Sequence, residues 1–231
     1  MTESETQLAE SALRRFRGME DNYGFVLVAI LAALIIMGAL SERPMGRTVT
    51  LLLFGVVFFL TLLASAVPRR WMLMALVLVP PILAVAALAG TSGNRSAVGN
   101  AAYIMSALLV ITCAVVIARR IAKHPKISVR TVMGTVCIYL FAALLFALIY
   151  RTMDMMDGGP FFAQTNDPAG IDYIYFSFVS ITTLGFGDLS PASDLGKITA
   201  VVEAIIGQLY LVTVVALFVG NIGRRWRDSL D

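Results

Sequence analysis

Between Thr182 and Asp188 the chain reads Thr-Thr-Leu-Gly-Phe-Gly-Asp, with hydroxyls at one end, a carboxylate at the other and glycine at every second position between them. Aligning successive backbone carbonyls in one direction forces alternate residues into conformations that a Cβ opposes, and Gly185 and Gly187 meet that demand. Such a ladder of carbonyl oxygens, contributed by four chains, can replace the hydration shell of a dehydrated potassium ion. The Thr183 hydroxyl can complete the innermost cage, while Leu184 and Phe186 are expected to point away from the oxygens and brace the ring from behind.

Other reactive side chains offer little. Cys113 and Cys137 fall inside apolar runs, where they read as small hydrophobic residues rather than disulfide partners or metal ligands. His124 stands alone in a basic loop. No nucleophile or metal cluster is visible, so neither an enzyme nor a cofactor is expected; the permeant K+ is the sole ion called for. Glu203 is different: it is the single acidic residue within a predicted span, and an intramembrane carboxyl is a functional candidate because it is costly. It lies one turn before Gly207, where it can hydrogen-bond the back of a preceding helix.

The elements that position these residues must sit in lipid. The chain is 58% hydrophobic and only 14% charged, where a soluble domain carries roughly 25% charged residues. Apolar runs of spanning length fall near Tyr23–Leu40, Thr48–Val67, Trp71–Gly90, Ala101–Ala118, Thr131–Tyr150 and Ile198–Ile222. The expected fold is an all-α membrane protein with six transmembrane helices. Pro80-Pro81 should kink the third span. Residues 1–22 mix acidic and basic side chains and lack a cleavage site, so they read as a cytoplasmic segment rather than a signal peptide, with 5–18 open to two readings, a short amphipathic helix along the inner interface or an ordinary frayed terminus.

Lys and Arg concentrate on one side of this arrangement, at Arg14, Arg15, Arg17, Arg69, Arg70, Arg119, Arg120, Lys123, Lys126, Arg130, Arg224, Arg225 and Arg227. The opposite side holds Arg43, Arg47, Arg95, Arg151 and Lys197. Positive charge marks the cytoplasmic face, so both termini are expected there, in a multi-pass protein of a cell membrane such as the bacterial inner membrane. The outer face then gathers Asp154, Asp157, Asp167, Asp172, Asp188 and Asp194, as a cation mouth would. The expected organisation is a four-helix part at 23–118, a basic linker at 119–130, a pore-forming part at 131–223 and a short tail at 224–231.

Within that second part, Ile171–Thr182 is apolar but too short to cross about 30 Å of hydrocarbon, which fits a re-entrant helix between spans five and six. Pro168 and Gly170 mark its start and Asp172 complements its N-terminal dipole. Span, half-helix, glycine loop and span together resemble the potassium channel superfamily, whose filter reads T-V-G-Y-G-D. Leu184 stands here for Val and Phe186 for Tyr. The likeness covers residues 131–223 and is greatest to the bacterial two-helix "ion channel" pore domain. It implies a homotetramer in the lipid bilayer, with no nucleic acid and no soluble partner. It also implies a filter at Thr183, Leu184, Gly185, Phe186 and Gly187, with Asp188 and Thr182 at its ends and an aromatic cuff at Tyr175 and Phe176. Tyr175 can reach Asp188, and Val179 occupies the place where some relatives pair a carboxylate with that Asp. Gly207 falls at the family's hinge glycine, and Gln208, Leu211, Val215 and Val219 are expected to line the cavity.

The first half departs from voltage-gated relatives, since AAYIMSALLVITCAVVIA carries no charge and Arg119, Arg120 and Lys123 come only at its inner end. Steep voltage gating is therefore not expected. The competing readings are a weakly selective cation channel, or a transporter or membrane sensor with a vestigial pore. A transporter should show two related halves with broken helices, and none is visible.

Overall fold

The computed structural model describes residues 23–40, 46–65, 67, 97–123, 129–156 and 160–227. Six helices occupy them: α1 (Tyr23–Leu40), α2 (Gly46–Ala64), α3 (Ala97–Lys123), α4 (Val129–Met156), α5 (Gly170–Ile181) and α6 (Asp194–Arg227). The expected third span with its proline pair, the amphipathic segment at 5–18, His124 and the end of the tail lie outside the described residues.

Four of these helices hold apolar stretches long enough to cross a membrane, Tyr23–Leu40, Ile104–Ala122, Thr131–Met156 and Asp194–Leu217. A helix satisfies its own backbone polar groups, which is why it suits a solvent that cannot hydrogen-bond. The apolar stretch of α2, Leu52–Ala64, is shorter. Helix α3 runs on through Arg119, Arg120 and Lys123, so the first residues of the expected linker continue the helix.

The hub is α4, which packs against α1, α3, α5 and α6. Buried side chains on α1 recur at helical spacing, Tyr23, Val26, Ile30, Ala33 and Met37. They join Val57, Phe58 and Leu62 of α2, Val110, Cys113 and Ile117 of α3, and Cys137, Phe141 and Leu144 of α4 in one core. A second core is aromatic: Tyr150 at the end of α4, Phe161 and Phe162 in the following segment, and Tyr173 and Phe176 on α5. Ring centroids there lie 4.9 to 6.2 Å apart, several pairs edge-on, the arrangement that aromatic quadrupoles favour.

Helix α6 contrasts with α4. Only 11% of the residues in its apolar stretch are buried, against 44% in α4. Beyond Gly196, which is buried beside Phe161 and Pro191, its buried positions Glu203 and Gly207 form a narrow stripe facing α4 and α5, while Val201, Val202, Ile205, Ile206, Leu209 and Val212 are exposed.

Cys113 is 2% exposed and Cys137 0% exposed, and neither is bridged. Both thiols should therefore resist a water-soluble maleimide in the folded protein in detergent. Intact-mass measurement should show labelling only after denaturation; prompt native labelling of either would contradict this packing.

Candidate functional site

Helix α5 begins where Pro168 and Gly170 predict. Asp172 Oδ2 accepts the Ala169 N–H at 2.8 Å, satisfying one of the donors that a helix start leaves over. At its other end the Thr182 hydroxyl donates to the Phe178 carbonyl at 2.6 Å. The Thr183 N–H reaches the Ser180 carbonyl at 3.0 Å, and the Leu184 N–H reaches the Val179 carbonyl at 3.0 Å. The glycine loop thus leaves α5 hydrogen-bonded to its final turn.

The loop backbone alternates. Positive φ occurs at Thr183 (59°), Gly185 (58°) and Gly187 (79°), every second residue. Glycine reaches that region freely. Thr183 does not, since a β-branched residue at positive φ is an outlier, and nothing in the sequence marks it. The side chains of Leu184 and Phe186 are both largely exposed within one chain. Phe186 stacks on Tyr175, with centroids 6.4 Å apart and planes 10° from parallel.

Tyr175 also donates its hydroxyl to Asp188 Oδ2 at 2.7 Å, tying α5 to the outer end of the loop. Asp188, which accepts that bond, raises the Tyr175 phenol above its ordinary range, with burial and charge adding to the effect. The neighbouring Phe176 turns the opposite way, into the aromatic core against Tyr150 and Phe162. Val179 is buried.

Beyond Asp188 the chain is held by the segment that follows α4. Phe162 and Pro191 form an antiparallel bridge, with the Ala163 N–H donating to the Ser190 carbonyl at 2.9 Å and the Ala192 N–H to the Phe161 carbonyl at 2.8 Å. The Gln164 amide adds two bonds to Ser190. Arg151 lies 5.0 Å over the Tyr173 ring and donates to its hydroxyl. Ser193 then caps α6, its hydroxyl accepting the Gly196 N–H at 3.1 Å.

At the inner end, Tyr139 of α4 donates to the Ile181 carbonyl at 2.8 Å and stacks on Tyr210 of α6, which donates to the Thr135 carbonyl at 2.7 Å. Helix α6 runs unbroken through Gly207. A Cβ at Gly207 would lie 2.5 Å from the Ile181 carbonyl oxygen, so close approach by itself accounts for the missing side chain in this structure. Gln208, Leu211 and Val215 are exposed on α6; Val219 lies on the same helix, with its side chain outside the described residues. Glu203 is buried behind α5, bonded to Tyr150 and Ser177.

Sequence reasoning missed Tyr139, Tyr150, Ser177, Gln164 and Tyr210. For Tyr139, Tyr150, Ser177 and Tyr210 the available signal was a polar tip inside an apolar run, because a buried hydroxyl needs a partner; nothing in the sequence marks Gln164.

Residues 131–223 match the ion channel domain family. The two pore potassium channel b of Oryza sativa subsp. japonica is 38% identical over 84 residues, 36% of this chain and 21% of that protein. The voltage-gated delayed rectifier potassium channel KCNH1 of Rattus norvegicus is 36% identical over 58 residues, 25% of this chain and 6% of that protein. KCNH5 of Homo sapiens is 33% identical over the same length. The chain therefore spans about a fifth of the rice relative's length, 21%, and much less of the other two. The class of the matched stretch is that of an ion channel domain. Over residues 131–223 the chain carries an ion channel domain similar to those of potassium channels, and with its long apolar helices it is a multi-pass membrane protein.

Gly207→Ala should cost about 1–3 kcal/mol by overpacking against the Ile181 carbonyl. Gly38→Ala, with nothing within 4 Å of its new Cβ, should be neutral or stabilising by up to about 1 kcal/mol through helix propensity. Melting curves in detergent compare the two; equal behaviour would show that the contact at Gly207 relaxes without cost.

Proposed function

We propose that this chain is one subunit of a potassium-selective channel, in which four copies surround an axis and residues 183–187 form the filter. The observation that carries this reading is the alternation of positive φ at Thr183, Gly185 and Gly187. It follows a 12-residue helix and lies between two long apolar helices. Successive carbonyls arranged in this way can ring an ion from four sides. The scant burial of α6 supports assembly, because its exposed apolar surface needs other chains as well as lipid.

In this reading α4 and α6 span the bilayer and α5 is re-entrant, its C-terminal end turned toward the membrane centre with partial negative charge for a cation. Residues 23–118 supply four more spans, residues 119–130 link the two parts, and both termini are cytoplasmic. Asp188 lies at the outer mouth, while Gln208, Leu211, Val215 and Val219 face the inner cavity. Potassium moves down its gradient without a cofactor.

Bi-ionic reversal potentials of the reconstituted protein test the claim. Potassium should permeate far better than sodium, and Gly185→Ala or Gly187→Ala should abolish the current, because an added Cβ opposes the positive φ at each site. Near-equal permeabilities would make the chain a weakly selective cation channel instead.

Gating should be shallow in voltage. One elementary charge crossing 100 mV is worth about 2.3 kcal/mol, so a steep response needs several charges within the field. Helix α3 holds Arg119 and Arg120 only at its inner end. Open probability against voltage should change little when Arg119, Arg120 and Lys123 are neutralised together; a steep curve that flattens in that variant would make them a sensor.

A further inference from the structure

Behind α5 lies a carboxyl that the filter reading does not by itself require. Glu203 of α6 is 0% exposed, and both its oxygens are engaged. Tyr150 of α4 donates its hydroxyl to Oε2 at 2.5 Å, and Oε1 is hydrogen-bonded to the Ser177 hydroxyl of α5. Ser177 Oγ lies 2.6 Å from the Ala143 carbonyl of α4 as well. Three helices therefore meet through one side chain.

Counting hydrogens decides the form of that side chain. The Ser177 hydroxyl has one hydrogen and two acceptors within reach, the Ala143 carbonyl and Glu203 Oε1. If Glu203 brings a hydrogen of its own, the cluster becomes a directed chain in which each contact carries one proton. Tyr150 donates to Oε2, the Oε1 hydroxyl donates to Ser177, and Ser177 donates to Ala143. If Glu203 is ionised, one contact lacks a proton and the charge lacks a counter-ion. Among the described residues no cation pairs with it: Arg151, the basic residue on that end of α4, is engaged by Asp154, Tyr173 and the Pro168 carbonyl. An unpaired carboxylate withdrawn from water is among the costliest groups to bury. The partners that face it, Tyr150 and Ser177, are uncharged donors.

We propose that Glu203 serves as a neutral carboxylic acid in a proton-ordered relay, Tyr150–Glu203–Ser177–Ala143, which positions α5 and through it the carbonyls of residues 183–187. The role rests on the filter reading above, and the residues act through α5 rather than by touching the ion.

The test uses the full chain reconstituted in lipid vesicles, with Glu203→Gln, Glu203→Ala and Ser177→Ala. A glutamine amide offers one acceptor to Tyr150 and one N–H to Ser177, so Glu203→Gln should keep the potassium-to-sodium permeability ratio near that of the unaltered chain. Glu203→Ala and Ser177→Ala should lower that ratio or the potassium current by roughly tenfold or more, the scale of one buried hydrogen bond, while circular dichroism shows intact helices. Loss of function in Glu203→Gln equal to that in Glu203→Ala, or full function in Glu203→Ala, would overturn the relay. Should Glu203→Ala fail to fold, infrared spectroscopy decides: a protonated-carboxyl band present in the unaltered chain and missing from Glu203→Gln is expected, and its absence from the unaltered chain is contrary. An unaltered chain that fails to distinguish potassium from sodium defeats the filter reading, whereas the infrared band still reports on the proton.

Discussion

A helix of twelve residues in a membrane protein cannot be held by its ends in water on both sides; it has to be held from the flanks. Everything around α5 follows from that constraint. Its N-terminus is closed by its own Asp172, its outer flank is seated in the aromatic core of Phe161, Phe162 and Tyr150, and its back is bonded to α4 and α6 through Ser177. Its last carbonyl, on Ile181, accepts from Tyr139 and lies against Gly207. The polar contacts are few and each has a named partner, as expected where water cannot serve as a substitute.

The same constraint explains the division between α4 and α6. Helix α4 touches nearly every other helix, so its sequence must satisfy lipid, the first-half core and α5 together. Helix α6 spends only one stripe on its own chain, where Glu203, Gly207 and Tyr210 supply a carboxyl, a gap and a phenol in successive turns. The remaining faces are mostly aliphatic, with Gln208 and Thr213 among the exposed residues, and the single chain leaves them open.

Much of this was legible in the sequence, and the parts that were not share a cause. The apolar runs locate α1 and α6 well, and the shortness of Ile171–Thr182 separates α5 from a span. The reach from Tyr175 to Asp188 and the approach of Glu203 to α5 can be anticipated from motif position and helical spacing. Partners distant in sequence cannot: Tyr139 with Ile181 and Tyr210 with Thr135 join residues 42 and 75 positions apart, and depend on how the helices cross. Gly207 invited a reading as a bend, because a helix glycine looks the same in sequence whether it supplies flexibility or space. Positive φ at Thr183 was hidden because residue type argues against it.

The outer bridge between residues 161–163 and 190–192 has a consequence for mechanics. The loop from Thr182 to Asp188 is anchored at its inner end beside α6, through the Ile181–Gly207 contact, and at its outer end to the chain leaving α4, through Ser190 and Pro191. It is a short cable strung between two separate posts. The alternating backbone at Thr183, Gly185 and Gly187 is thus pinned from both sides rather than free at one.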